Sequence, residues 1–170
     1  MNRRNILNAM FLFTFWFGLS ACGTSQHLAD SSFYTMYSQK LGINLKGDEN
    51  KDLIKSVSEW QGTPYKYASC IKQKGTDCSG FVTSVYLEVY GKKLQRSSAD
   101  MVKDVDFIDR DKMQAGDLLF FKINGKKISH VGIYIADNKF IHASTQSGVV
   151  VNDLDQDYYK KTFYRAGRVK

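Results

Sequence analysis

Thr76-Asp77-Cys78-Ser79-Gly80-Phe81-Val82 is the stretch on which the fold of this 170-residue chain turns. Behind Cys78 come Phe81, Val82, Val85, Tyr86 and Val89, apolar residues that recur at helical spacing. That spacing predicts a helix from Cys78 to about Tyr90 with one buried face. Asp77 is a good N-cap type, so Cys78 would occupy the first turn. There the unpaired backbone N–H groups and the positive end of the helix dipole favour a thiolate. A free thiol has a pKa near 8.5, and such a position or a nearby imidazolium can bring it to about 3.5–7.5. Cys78 is therefore a candidate nucleophile. The alternative is a structural cysteine, since free cysteines are among the most buried residues. Deciding between the two requires a base, and the chain holds three histidines: His27, His130 and His142.

N-terminal to this stretch the chain divides into three parts. Asn2-Arg3-Arg4 is a positive segment, and Ile6 to Leu19 is almost wholly apolar yet too short for a comfortable membrane span. It ends in Leu19-Ser20-Ala21-Cys22, which resembles the lipobox of bacterial lipoproteins. The resemblance implies a signal peptide over residues 1–21, lipidation at Cys22 and a protein anchored in the membrane by acyl chains. Gly23, rather than Asp, follows the cysteine, which implies the outer membrane, facing the periplasm, where the host has one. Residues 22–49 read as a polar, irregular tether containing His27, with enough apolar residues between Phe33 and Leu45 to pack or form a short helix. The folded domain is expected over residues 50–170, opening on a helix with Leu53, Ile54, Val57 and Trp60 on one face and Gly62 at its end.

C-terminal to the Cys78 helix, Gly91 marks its stop, and Ser97 or Ser98 can cap a short helix through Met101 and Val102. From Asp117 onward the signals are strands: Leu118–Phe121, Ile128–Ile135, Lys139–Ser144, Gly148–Val151 and Tyr164–Val169. Asn124-Gly125 is a hairpin turn signal between the first two. Helices first and an antiparallel meander after them give an α+β domain. The 24 Lys and Arg against 17 Asp and Glu give a net charge of +7, and about +5 once Arg3 and Arg4 leave with the leader, 22 against 17. The basic residues are scattered rather than clustered, which argues against nucleic-acid binding.

Two of the three histidines fall on neighbouring expected strands. Phe140, His142 and Ser144 alternate onto one face, so His142 and His130 would be neighbours across a hairpin and both could face the start of the Cys78 helix. Nucleophilic cysteine catalysis needs this set: a thiol, an imidazole within reach, and a third group that orients the imidazole. Either histidine taken alone is better read as an ordinary strand residue.

Five motifs in order, Gly62-Thr63-Pro64-Tyr65, Asp77-Cys78-Ser79-Gly80-Phe81-Val82, Gly116-Asp117-Leu118-Leu119-Phe120-Phe121, Ser129-His130-Val131-Gly132-Ile133-Tyr134 and Phe140-Ile141-His142-Ala143-Ser144, resemble the NlpC-type cell-wall cysteine peptidases. These are papain-like bacterial enzymes that hydrolyse peptide bonds of peptidoglycan stems or cross-links. With the lipobox and tether, the chain looks most like the Spr-type murein endopeptidase lipoproteins. The resemblance implies Cys78 as nucleophile, His130 as general base and His142 as the group that orients it. It also implies Tyr65 beside the nucleophile as part of the oxyanion site, with the backbone N–H groups at Cys78 and Ser79 as further donors. Asp77 needs no role beyond helix cap, and Ser129 none beyond a structural one. The expected partners are peptidoglycan peptides and, through Cys22, the membrane; no cofactor is implied.

Two departures from the family pattern stand out. Ala68-Ser69 occupy the place of a usual Gly-Gly pair, and the loop before Asp77 carries an additional cysteine, Cys70. Cys70 either reaches Cys78 as a redox-sensitive disulfide or fills the pocket wall. Three other readings compete: an acyltransferase with the same fold, a non-catalytic cell-wall-binding lipoprotein, and a zinc site. The last lacks the usual Cys-x-x-Cys or His-x-x-x-His spacing.

Overall fold

The computed structural model describes residues 22–123 and 125–170, so the expected signal peptide and Asn124 of the hairpin signal lie outside it. The described residues form four α-helices and eight strands: α1 (Cys22–Leu41), α2 (Lys51–Trp60), β1 (Cys70–Ile71), β2 (Gly75–Thr76), α3 (Cys78–Tyr90), β3 (Val105–Ile108), β4 (Leu118–Phe121), β5 (His130–Ala136), β6 (Lys139–Ser144), β7 (Gly148–Asp153), α4 (Asp157–Thr162) and β8 (Phe163–Val169). Six strands form one antiparallel sheet in the order β3-β8-β4-β5-β6-β7, and β1 and β2 form a separate small ribbon. The α+β expectation holds. The meander β4 to β7 follows the sequence reading, but the C-terminal strand does not extend it: β8 returns between β3 and β4.

The apolar run of β4 explains itself through alternation. Leu118 and Phe120 join the core formed with α2 and α3, which holds Leu53, Ile54, Phe81 and Val85. Leu119 and Phe121 point the other way, into a second cluster with Phe140, Leu154 and Tyr159. A strand covered on both faces has no position for a polar residue. Edge strand β3 has only Val105 buried, and α4 is six residues long. Neither carries enough periodicity to be read from sequence.

The expected caps at Asp77, Gly91 and Ser97 form, and Asn50 adds one that the sequence reading did not name. Asn50 accepts from the Leu53 N–H at the start of α2, Asp77 accepts from the Gly80 N–H at the start of α3, and Gly91 ends α3 in the left-handed region at φ 64°. The Ser97 hydroxyl accepts from the Asp100 N–H at the head of a 3-10 turn over Asp100–Asp104.

The reading of residues 22–49 as an irregular tether is corrected. α1 runs twenty residues, and Phe33, Tyr34 and Tyr37 pack against the main core. Phe33, Tyr37 and Leu41 stand at i, i+4 and i+8, a short apolar stripe within a polar helix. Leu41, Ile43 and Leu45 are buried, and the Tyr34 hydroxyl donates to the Glu49 carbonyl at 2.6 Å. The buried Glu49 carboxylate accepts from the N–H groups of Lys46 and Gly47, which holds this turn together. The packed domain thus begins well before Asn50. Among the described residues no helix is long and apolar enough to cross a membrane.

Gly80 sets the position of α3. A Cβ at Gly80 would lie 2.2 Å from the Ser69 carbonyl oxygen, which itself accepts from the Asp77 N–H at 3.0 Å. Gly80→Ala must push that loop off the helix start. Overpacking of this kind costs about 1–3 kcal/mol, and a protein of this size loses about 2–4 °C of Tm per kcal/mol. Thermal unfolding should therefore show a fall of roughly 2–12 °C; an unchanged Tm would mean that the contact is slack.

Candidate active site

The first residue of α3 is Cys78, and the sheet brings β5 and β6 across that helix. His130 is the first residue of β5, and His142 lies in the middle of β6. Cys78, His130, His142, Tyr65 and Ser129 line one cavity of about 360 Å³, together with Tyr159 of α4. The register Ile133↔Ile141 sets Gly132 beside His142, and a Cβ at Gly132 would meet the Phe140 ring at 2.8 Å and the His142 Cβ at 3.1 Å. Glycine at this point of the Ser-His-Val-Gly motif leaves room for the His142 side chain.

Both imidazoles are buried and joined directly: His130 Nε2 and His142 Nδ1 are 2.8 Å apart. Nδ1 of His130 is thus the ring nitrogen that His142 does not engage. The Phe140 ring stacks on His142 at 5.0 Å and 22°. His142 Nε2 lies 3.0 Å from Asn152 Oδ1 and 3.1 Å from the Tyr159 hydroxyl, and that hydroxyl donates to Asn152 Oδ1 at 3.2 Å. Burial pushes His130 down to about 3, with the neighbouring His142 adding to the shift. Burial also pushes His142 down to about 4, against the pull of Asn152. Both rings are neutral at pH 7.

The electrostatics of Cys78 correct the sequence expectation. Burial raises the thiol, and the nearby Asp77 charge adds to that; the N–H groups of Val131, Ser79 and Cys78 pull the other way without prevailing. Both shifts favour the uncharged forms, a neutral Cys78 thiol and a neutral His130 imidazole. The helix start contributes donors, as expected, but desolvation outweighs them.

Asp77 does more than cap α3. Arg96 grips it with Nη1 on Oδ1 at 2.9 Å and Nη2 on Oδ2 at 2.6 Å, and Arg96 Nη1 also donates to the Ser79 hydroxyl at 2.8 Å. Burial pulls the Asp77 carboxyl up, but Arg96 and the Gly80 N–H outweigh it and hold the group below the usual carboxylate range. The Ser79 hydroxyl donates to Asp77 Oδ1 at 3.1 Å, so its side chain belongs to this clamp, and only its backbone N–H remains for an oxyanion. Arg96 was invisible in the sequence because nineteen residues separate it from Asp77. Tyr65 keeps its proton: burial first, then the charges of Cys78 and Asp77, push its pKa up. It bridges to Thr76 beside the helix start.

The thiols of Cys70 and Cys78 are free, and Cys70 is exposed on β1, paired across the ribbon with Thr76. It makes no bond to Cys78 in this structure and is not among the residues that line the cavity. Ala68, in the place of a family glycine, takes a positive φ of 54°, a conformation that suits glycine better. His27 is exposed on α1, apart from the cavity, as the sequence suggested.

A thiol at a helix start facing imidazoles on an antiparallel sheet defines a cysteine-hydrolase architecture of the papain-like kind. The chain belongs to the NlpC/P60 family, whose profile matches residues 62–168. It is 33% identical over 163 residues to the murein DD-endopeptidase MepS/murein LD-carboxypeptidase of Escherichia coli, covering 89% of this chain and 86% of that protein. It is 40% identical over 114 residues to the probable endopeptidase NlpC of Escherichia coli, covering 66% of this chain and 73% of that protein. Among solved structures, an NlpC/P60 family protein from Bacillus cereus superposes with a TM-score of 0.64 at 30% identity, covering 69% of this chain and 39% of the other.

Proposed function

We propose that this protein is a cysteine peptidase that hydrolyses peptide bonds of peptidoglycan. The observation that carries the reading is the shared cavity of Cys78, His130 and His142, with the two imidazoles bonded at 2.8 Å, in a chain with murein endopeptidase relatives. His130 Nδ1 takes the Cys78 proton as Sγ attacks the substrate carbonyl carbon. The oxyanion is held by the N–H groups of Cys78 and Ser79 and by the Tyr65 hydroxyl. The imidazolium of His130 then protonates the leaving amine, which leaves a thioester. Water, deprotonated by His130, attacks the thioester, and the acid leaves as Cys78 regains its proton. His142 orients His130 and bears no proton of the reaction itself.

The bond cut is one in a cross-link between neighbouring stems. The protein is anchored by lipid at Cys22, in the outer membrane where the host has one, facing the periplasm. α1 then begins at the anchor and is about 30 Å long at 1.5 Å per residue. Because it packs through Phe33, Tyr34 and Tyr37, it holds the domain close to the membrane rather than on a loose tether.

Purified peptidoglycan incubated with the protein tests this, with mass spectrometry of the released muropeptides. Loss of cross-linked dimers, blocked by a thiol alkylator, is the expected result. Dimers left intact while single stems are trimmed would reject the cross-link assignment, and no release of any kind would reject the hydrolase. Cys22→Ala should leave a protein that no longer partitions with detergent; a soluble, unacylated wild type would overturn the anchor.

A further inference from the structure

We propose that Asn152 is a positioning residue that sets the tautomer of both histidines, so that His130 presents an unprotonated Nδ1 toward Cys78. The inference rests on the reading of His130 as the base. The geometry is a chain of single-valued hydrogen bonds. Asn152 Oδ1 can only accept, and it lies 3.0 Å from His142 Nε2. His142 therefore carries its proton on Nε2 and a lone pair on Nδ1. His130 Nε2 lies 2.8 Å from that lone pair, so it must donate. A neutral imidazole has one N–H, which leaves Nδ1 of His130 bare. Burial keeps both rings neutral, so each choice of tautomer dictates the next.

Two neighbours hold Asn152 in the required sense. Its Nδ2 donates to Gln156 Oε1 at 3.2 Å, which turns Oδ1 toward His142. The Tyr159 hydroxyl donates to the same Oδ1 at 3.2 Å and lies 3.1 Å from His142 Nε2, where it can share the imidazole proton. Tyr159 alone does not decide the tautomer, because a hydroxyl both donates and accepts. The amide oxygen decides it. Asn152 comes from β7 and Tyr159 from α4, so the device exists only once the sheet edge and that helix have docked.

The test is histidine-selective 15N NMR of the full chain beside steady-state kinetics. In the wild type both histidines should show the proton on Nε2. In Asn152→Leu the His130 proton should move to Nδ1 in a substantial population, and kcat should fall about tenfold or more, with KM changed less than about threefold. Asn152→Asp also offers only an acceptor, so it should keep the Nε2–H pattern and recover most of kcat. In a His142→Gln background, where the imidazole that links Asn152 to His130 is gone, Asn152→Leu should change kcat by less than about threefold. A wild-type spectrum with the His130 proton on Nδ1, or an unchanged pattern in Asn152→Leu, overturns the role of Asn152. A shifted tautomer with kcat intact overturns instead the reading of His130 as base. Should Asn152→Leu fail to fold, the wild-type spectrum and Asn152→Asp decide.

Discussion

Cys78→Ser should lower kcat/KM on peptidoglycan by about 10⁴-fold or more, because the nucleophile and its base act as one unit. The two side chains are close in size, so thermal unfolding should shift by little. The hydroxyl would meet the same N–H donors from Val131, Ser79 and Cys78, but its proton is far harder to remove for an imidazole that burial has already made a weak base. Retention of more than about a tenth of wild-type activity would show that another group attacks. The raised thiol adds a second readout. Alkylation of Cys78 should be slow at pH 7 and accelerate above the usual thiol range, whereas fast, pH-independent alkylation would indicate a resting thiolate.

His130→Ala should behave like Cys78→Ser, with a loss of about 10⁴-fold, because the base is lost from the same unit. His142→Gln should be milder, since a glutamine oxygen can still accept from His130 Nε2. Equal losses at the two positions would contradict the division into base and orienting group. The same pair makes the fold acid-sensitive. Each histidine titrates lower in the folded state than its ordinary 6.5, so below that pH the unfolded chain binds protons that the folded chain refuses. The stability due to neutral burial is complete above about pH 6.5 and drains as pH falls toward the folded values, by about 1.4 kcal/mol per unit for each ring. Urea unfolding at pH 7 and pH 5 should show a smaller acid loss for His130→Ala than for wild type.

Much of the site was legible because it is written in local signals. Asp77 before an apolar helical pattern places Cys78 in the first turn of α3, and strand alternation places Phe140 and His142 on one face. The clamp of Arg96 on Asp77 and Ser79 was not legible. Its partners lie seventeen to nineteen residues apart, and no periodicity links a loop arginine to a helix cap. The packing of α1 was obscured by its polar composition, which hides the stripe of Phe33, Tyr37 and Leu41.

Local sequence signals dictate the α3 helix with its caps, the apolar β4, the meander through β7, and the residue types able to perform thiol chemistry. Each depends on neighbours within a few positions, where propensity, alternation and capping act. Long-range packing is what returns β8 beside β4, brings Asn152 and Tyr159 together behind His142, and pushes the Cys78 thiol up. Strand order follows from which apolar faces can be covered together, and a pKa follows from how much water the packed whole removes. Neither is a property of any short stretch, because both sum over contacts between residues far apart in the chain.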